Sequence, residues 1–178
     1  MSVIHVEPTQ LEGVTDIRID AFADHRGRFI ETYNRGLYAR HGIDIDFVQD
    51  DLSISGRDVL RGFHGDDCTQ KLVSCIHGRI FFVVLNCDRT SDQCGQWQSF
   101  TLDGDDPRQL LIPPRFANAY LALSDKIIFT YKQSAYYDRS RQFSVRWNDP
   151  RLAIDWPIQH PILSERDRTS PFFAELAG

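Results

Sequence analysis

Lys71-Leu72-Val73-Ser74-Cys75-Ile76, then His77-Gly78-Arg79, then Ile80-Phe81-Phe82-Val83-Val84-Leu85: two runs rich in β-branched and aromatic residues around a short glycine turn predict two strands joined as a hairpin. Further β-type runs lie at Asp16 to Phe22, Trp97 to Leu102, Gln109 to Ile112, Tyr120 to Leu123, Ile127 to Tyr131 and Phe143 to Trp147. Their spacing of roughly 8–12 residues is that of sandwiches and barrels, so an all-β architecture is expected. One short helix is predicted over Asn34 to Gly42, with Asn34 capping its start and Gly42 closing its end, and a further short turn near the C-terminus. A doubly wound α/β fold needs strands alternating with helical segments of a dozen or so residues, and no such alternation is visible. Neither Gly-x-Gly-x-x-Gly nor a Walker-type loop occurs, so no bound dinucleotide is expected.

Composition narrows the function. The 178 residues are 42% hydrophobic and 25% charged, with 20 Lys+Arg against 25 Asp+Glu and a formal charge of −5. That is enough apolar material for a core, and with no repeat or linker it reads as a single domain, 1–178. The acidic balance argues against nucleic-acid binding, which draws on clustered Lys and Arg. The longest apolar run, Ile80 to Leu85, is far short of the roughly 20 residues that cross a bilayer, so no membrane span is expected. Met1 to Pro8 lacks the basic start and apolar stretch of a secretory signal, which points to the cytoplasm. Cys68, Cys75, Cys87 and Cys94 form no Cys-x-x-Cys pair, so reduced, mostly buried thiols are preferred over a zinc cluster.

Three polar clusters beside strands could carry chemistry. In Asp24-His25-Arg26-Gly27-Arg28-Phe29-Ile30-Glu31, Arg suits a phosphate, Phe a stacked ring and Glu an N–H donor; a solvated charged turn explains the stretch equally well. In Leu60-Arg61-Gly62-Phe63-His64, leading to Lys71, an extended backbone brings a cation, an imidazole and an ammonium into one neighbourhood, which suits an anionic substrate and proton transfer. Taken alone, His64 is as readily an ordinary hydrogen-bonded histidine. The third cluster is Tyr131-Lys132 with Tyr136-Tyr137 and, later, Leu163-Ser164-Glu165-Arg166-Asp167. A tyrosine ending an apolar strand is more often core or rim than acid.

The ordered series Asp24-x-Arg26-Gly27-x-Phe29-x-Glu31, Phe47-Val48-Gln49-Asp50-Asp51-x-Ser53, Leu60-Arg61-Gly62-Phe63-His64, Lys71, Ile112-Pro113-Pro114-x-Phe116-Ala117, Tyr131-Lys132, Tyr136-Tyr137, Trp147-Asn148-Asp149-Pro150, Ile154-Asp155-Trp156-Pro157 and Leu163-Ser164-x-x-Asp167 resembles the dTDP-4-dehydrorhamnose 3,5-epimerase family. The resemblance implies a cupin-type jelly roll with short peripheral helices, a homodimer, and no metal or other cofactor. It implies the base at His64, its aspartate partner at Asp167, a facing tyrosine acid at Tyr131 and a lysine near the substrate carbonyl at Lys71. Arg61, Gln49 and Asp51 fall on substrate-contacting positions. Arg26, Phe29, Glu31 and Tyr137 fall where the nucleotide is held, the first three reaching across from the partner subunit.

That set suits one reaction. A 4-keto group acidifies the neighbouring C–H bonds, so a base can leave an enolate with its charge largely on O4. A lysine can stabilise that oxyanion, and a tyrosine on the opposite face can return the proton and invert C3, C5 or both. Two departures stand out. After the histidine most family members have an aromatic and a glutamine on a longer loop, where this chain has Gly65-Asp66-Asp67. In the usual Pro-x-Gly-Phe-x-His segment, Arg115 replaces Gly and Asn118, a further substrate-contact candidate, replaces His. The variant resembles the branch acting on GDP-4-keto-heptoses in bacterial capsule synthesis, so both dTDP- and GDP-linked 4-keto sugars stay open as substrates. A 3,4-ketoisomerase and a non-catalytic nucleotide-sugar-binding module are the alternative functions.

Overall fold

The computed structural model describes residues 2–176. Its strands are β1 (Ile4–Pro8), β2 (Thr15–Ile19), β3 (Phe22–Asp24), β4 (Gly27–Phe29), β5 (Gln49–Gly56), β6 (Leu60–Gly65), β7 (Lys71–His77), β8 (Arg79–Asn86), β9 (Trp97–Asp103), β10 (Arg108–Ile112), β11 (Phe116–Ala122), β12 (Lys126–Gln133) and β13 (Phe143–Ser144). The α-helices are α1 (Arg35–Arg40) and α2 (Glu165–Thr169), with short 3-10 turns at Arg139–Arg141 and Phe173–Glu175. A six-stranded sheet in the order β1-β2-β10-β7-β12-β5 faces a five-stranded sheet in the order β13-β6-β11-β8-β9, and β3 pairs with β4 as a separate ribbon. This is the expected double-sheet all-β architecture, with pairing antiparallel throughout the named strands.

The expected hairpin is corrected. The runs at 71–76 and 80–85 are both strands, but β7 lies between β10 and β12 in one sheet while β8 lies between β11 and β9 in the other. The chain turns a corner at Gly78, at φ +73°, where a Cβ would run into the backbone oxygen of Lys126. That contact leaves room only for glycine. The turn therefore passes the chain from sheet to sheet instead of folding it back on itself.

Core packing explains the residue pattern. Val73, Cys75, Phe82, Val84, Leu102, Leu110, Ile112 and Phe129 fill the layer between the sheets. The outer face of the five-stranded sheet is covered too: Phe63, Val83, Leu85, Ala117 and Ala119 pack against Val145, Leu152 and Trp156 of the C-terminal segment. Because both faces of β8 are covered, Ile80 to Leu85 reads as an unbroken apolar run. Asp149 holds the covering segment, accepting from the amides of Arg151, Leu152 and Phe173. The outer face of the six-stranded sheet packs Ile17, Ile19 and Leu72 against Leu37 and Tyr38 of α1. Asn34 caps that helix by accepting from the Leu37 amide at 3.1 Å, and Gly42 follows it at φ +83°.

Other bounds shifted. The run at 16–22 divides into β2 and β3, and only Phe143 and Ser144 of the run at 143–147 pair as strand. β1 and β5 are strands without an expectation at those positions. In β5 the usual polarity is inverted: Asp51, Ser53 and Ser55 turn inward, while Leu52 and Ile54 are 56% and 55% exposed. Among the described residues no helix is long and apolar enough to cross a membrane.

Candidate active site

A pocket of about 250 Å3 lies between the two sheets. Arg61 and His64 reach it from β6, Asn118 and Tyr120 from β11, Ser53 from β5, Lys71 from β7, Tyr131 and Gln133 from β12, and Arg166 and Asp167 from α2. His64 and Tyr131 thus approach from opposite sheets. Strict alternation would put Arg61 and His64 on opposite faces of β6. The pairing with β11 shifts between Asn118, opposite His64, and Tyr120, opposite Arg61, so three steps on β6 match two on β11. This bulge turns both side chains into the pocket. Gly62 makes it possible: it sits at φ +121°, and a Cβ there would come within 2.6 Å of Ala119.

His64 Nε2 lies 2.6 Å from Asp167 Oδ1, the carboxylate being buried and the imidazole partly open to the pocket. Asp167 is in the first turn of α2, where Ser164 caps the helix by accepting from the Asp167 amide at 3.1 Å. Burial pushes the Asp167 carboxyl up, but its bond to and charge attraction for His64, together with hydrogen bonds from Ser164 and the Gly62 backbone, hold it below the usual carboxylate range. An ionised Asp167 accepts the Nε2–H, which leaves Nδ1 as the basic nitrogen.

Lys71 is almost wholly buried, and its Nζ lies 3.4 Å from Asp66 Oδ2. Burial lowers its pKa, and Asp66 opposes that shift. Tyr131 packs on Phe129 and has its pKa raised, first by burial and then by the Asp51 charge, so it carries its proton at neutral pH. Beneath them Tyr120 Oη sits 2.9 Å from Ser53 Oγ and 3.0 Å from Ser55 Oγ, while Arg61 Nε donates to Ser55 Oγ at 3.0 Å.

Gln49 and Asp51 stand behind the pocket wall. Asp51 Oδ2 accepts from Gln49 and Gln133, each at 2.7 Å, and Gln49 Oε1 accepts from the Tyr137 amide at 2.8 Å. They therefore hold Gln133 and the Tyr137 loop, both of which line the pocket. Arg26, Phe29 and Glu31 do not reach the pocket of their own chain. Arg26 pairs with Asp24, Glu31 accepts from Asn34, and Phe29 is 68% exposed on the β3–β4 ribbon. Sequence reasoning missed the serine–tyrosine floor and Gln133, Gln142 and Arg166; the inward polar alternation of β5 was the available signal for Ser53 and Ser55. Among the described residues one group has metal-ligand spacing, Asp66, Asp67 and Cys68. Both oxygens of Asp66 are already engaged by protein donors, which makes that group a poor cage.

The dTDP-4-dehydrorhamnose 3,5-epimerase family profile matches residues 8–175. The chain belongs to that family. The epimerase is 38% identical over 165 residues to the dTDP-4-dehydrorhamnose 3,5-epimerase of Methanothermobacter thermautotrophicus, covering 90% of this chain and 89% of that one. It is 39% identical over 158 residues to the enzyme of the same name from Pseudomonas aeruginosa, covering 86% and 87%. Among solved structures, the dTDP-6-deoxy-D-glucose-3,5-epimerase of Legionella pneumophila, in complex with dTDP-4-keto-L-rhamnose, superposes with a TM-score of 0.93 at 34% identity, covering 98% of this chain and 95% of that one. A 4-keto-6-deoxy sugar epimerase from the novobiocin biosynthetic gene cluster of Streptomyces spheroides gives 0.93 at 33% identity, covering 97% and 89%.

The epimerase's own departures have local causes. A Cβ at Gly65 would come within 2.5 Å of Phe143 Cζ and 2.6 Å of the Phe116 carbonyl, so Phe143 occupies the space that a side chain after His64 would need. Arg115 stands at φ +67°, the left-handed region that favours glycine, so the turn keeps its shape with a residue that strains it.

Proposed function

We propose that the epimerase inverts C3 and/or C5 of a dTDP-linked 4-keto-6-deoxy sugar through an enolate, in deoxysugar biosynthesis for bacterial surface polysaccharide. The observation that carries this is the 2.6 Å His64–Asp167 pair opening onto the pocket that Lys71 and Tyr131 share. Nδ1 of His64 takes the proton from carbon, the C–H electron pair becomes a C=C bond to C4, and the carbonyl π pair moves onto O4 as the enolate charge. The Lys71 ammonium stabilises that charge, a contribution of about 3–4 kcal/mol for a single donor. The Tyr131 phenol donates its proton from the opposite face, which inverts the centre. Asp167 orients the imidazole and favours the imidazolium.

At about 250 Å3 the pocket is below the roughly 300–1,000 Å3 of sites that hold a drug-sized ligand, so it fits the sugar and leaves the nucleotide outside. Arg61 and Arg166 supply positive charge for the diphosphate. We read Arg26, Phe29 and Glu31 as nucleotide contacts given to the site of a second copy in a homodimer, with Tyr137 and Asn118 contributing from the pocket's own chain. The exposed Leu52, Ile54 and Ile76 of the six-stranded sheet support such an interface. The whole chain acts as one catalytic unit in the cytoplasm, in keeping with its four unpaired cysteines.

The test is incubation with dTDP- and GDP-linked 4-keto-6-deoxy sugars in deuterated water, with deuterium located by NMR and mass spectrometry against a no-enzyme control. Incorporation at C3, C5 or both, with an inverted product and faster turnover of the dTDP-linked substrate, is expected. Preference for the GDP-linked sugar moves the enzyme to the heptose-type branch. A carbonyl shifted from C4 to C3 makes it a ketoisomerase, and binding without exchange makes it a non-catalytic module.

A further inference from the structure

The turn that replaces the longer family loop is organised around one side chain. Asp66 is 2% exposed, and its two oxygens have separate duties. Oδ1 accepts from the amides of Cys68 at 3.1 Å and Thr69 at 2.6 Å, which fixes the turn between β6 and β7. Oδ2 faces the pocket side, accepting from Gln142 Nε2 at 3.1 Å and standing 3.4 Å from Lys71 Nζ. A carboxylate needed only to cap a turn has no use for a buried ammonium on its second oxygen.

An ammonium removed from water is costly to keep charged unless an opposite charge stands beside it. The charged and titratable groups that share the pocket with Lys71 are Arg61 and His64 on β6, Tyr120 on β11, Tyr131 on β12, Tyr137 after it, and Arg166 and Asp167 on α2, with Asp66 and Cys68 in the turn and Asp51 of β5 behind the wall. Among the described residues Asp66 is the only carboxylate within ion-pair distance of Nζ, since Asp167 is taken by His64 and Asp51 by Gln49 and Gln133. Lysine carries three N–H donors, so one can rest on Asp66 while another meets the substrate.

We propose that Asp66 is a positioning residue for the epimerisation: its Oδ2, steadied by Gln142, keeps the Lys71 ammonium charged and directed at the oxygen on C4 of the sugar. This rests on the reading of Lys71 as the group that stabilises the enolate. Asp66→Asn is the informative change, because it preserves an oxygen for the Cys68 and Thr69 amides and replaces only the charged oxygen. Asp66→Asn/Gln142→Glu returns a carboxylate to the same hydrogen-bonded group from the other side.

The full chain is assayed for deuterium wash-in from about pH 6 to about pH 10 with a dTDP-linked 4-keto-6-deoxyhexose, with kcat and KM resolved and Lys71→Met measured alongside. For Asp66→Asn the expected result is a lower kcat with KM changed less than about twofold, and an alkaline limb moved to lower pH. Relative to its own plateau the variant then loses about tenfold more activity than the parent near pH 9. The double variant recovers the limb. If Lys71→Met is inactive while Asp66→Asn keeps the parental kcat and limb, the proposal is wrong and the reading of Lys71 stands. If Lys71→Met itself retains parental wash-in, that reading fails and takes the proposal with it. Should Asp66→Asn not fold, the double variant decides: a parental limb supports the proposal, and a folded, dTDP-binding double variant with a displaced limb overturns it.

Discussion

His64 and Asp167, separated by 103 residues in the chain, are joined through a 2.6 Å contact between Nε2 and a buried carboxylate oxygen. In the proposed mechanism, loss of the imidazole removes the base but leaves Arg61 and Arg166, the cations proposed for the diphosphate, in place. His64→Asn is therefore expected to lower deuterium wash-in by about 10²–10⁴-fold. Its affinity for dTDP, measured by calorimetry, should stay within a few-fold of the parent. Full residual exchange would remove His64 from the role of base.

Tyr131 stands on the sheet opposite His64 and keeps its phenolic proton because burial and Asp51 raise its pKa. As the proposed acid on the face opposite His64, it is required for inversion but not for proton abstraction. Tyr131→Phe should go on exchanging deuterium into the sugar while net formation of the epimer, followed by NMR, falls at least tenfold. Equal losses in both readouts would give Tyr131 a structural role instead.

Arg115, at φ +67°, is exposed, and among the described residues its side chain has one polar partner, Asp88 at 3.5 Å. Left-handed backbone costs a non-glycine residue roughly 1–2 kcal/mol, and glycine carries no such penalty. Its greater freedom in the unfolded chain offsets part of the gain. Arg115→Gly should leave stability equal to the parent or higher by about 1 kcal/mol in urea unfolding. A loss above that size would assign the Asp88 contact a larger share of the turn's stability.

Asp167 titrates below its unfolded-state value because the bond and charge attraction with His64, joined by hydrogen bonds from Ser164 and the Gly62 backbone, together outweigh the cost of burial. In the acid range the unfolded chain then binds the proton first. Stability from this group is fully present above the ordinary carboxylate range near pH 3.9 and is lost as pH falls through the lower, folded value. The stability gap between the parent and Asp167→Asn should accordingly narrow as pH falls below about 4, in urea titrations at successive pH values. A gap independent of pH would mean that the carboxylate charge contributes nothing.

Burial pushes the Cys75 thiol up to about 11 and the Cys87 thiol up to about 12. The thiolate is the reactive form, so both should resist iodoacetamide at neutral pH in the folded protein and label fully in urea. Peptide mass spectrometry reads this directly; rapid native labelling of either would show that its surroundings open.

The amino-acid order by itself determined the all-β class, because β-branched and aromatic runs recur at strand spacing with little helical pattern between them. It also specified the short helix after Asn34, whose cap is a local contact between Asn34 and Leu37. The family pattern carried the identities of His64, Lys71, Tyr131 and Asp167, which the fold brings to one pocket. Which sheet each strand joins was decided only in three dimensions. Gly78 permits a hairpin and a corner equally, and the choice follows from burying both faces of Ile80 to Leu85 between a filled sandwich interior and the C-terminal covering. β5 escaped notice for a related reason: its inward face lines a polar pocket and its outward face is apolar, the reverse of the pattern that a solvated strand writes into sequence. The bulge at Gly62, the seating of Asp66 against Lys71 and the closure of His64 on Asp167 depend on neighbours far away in the chain. Local propensity cannot encode such contacts, since the free energy that selects them is released only when the sheets pack.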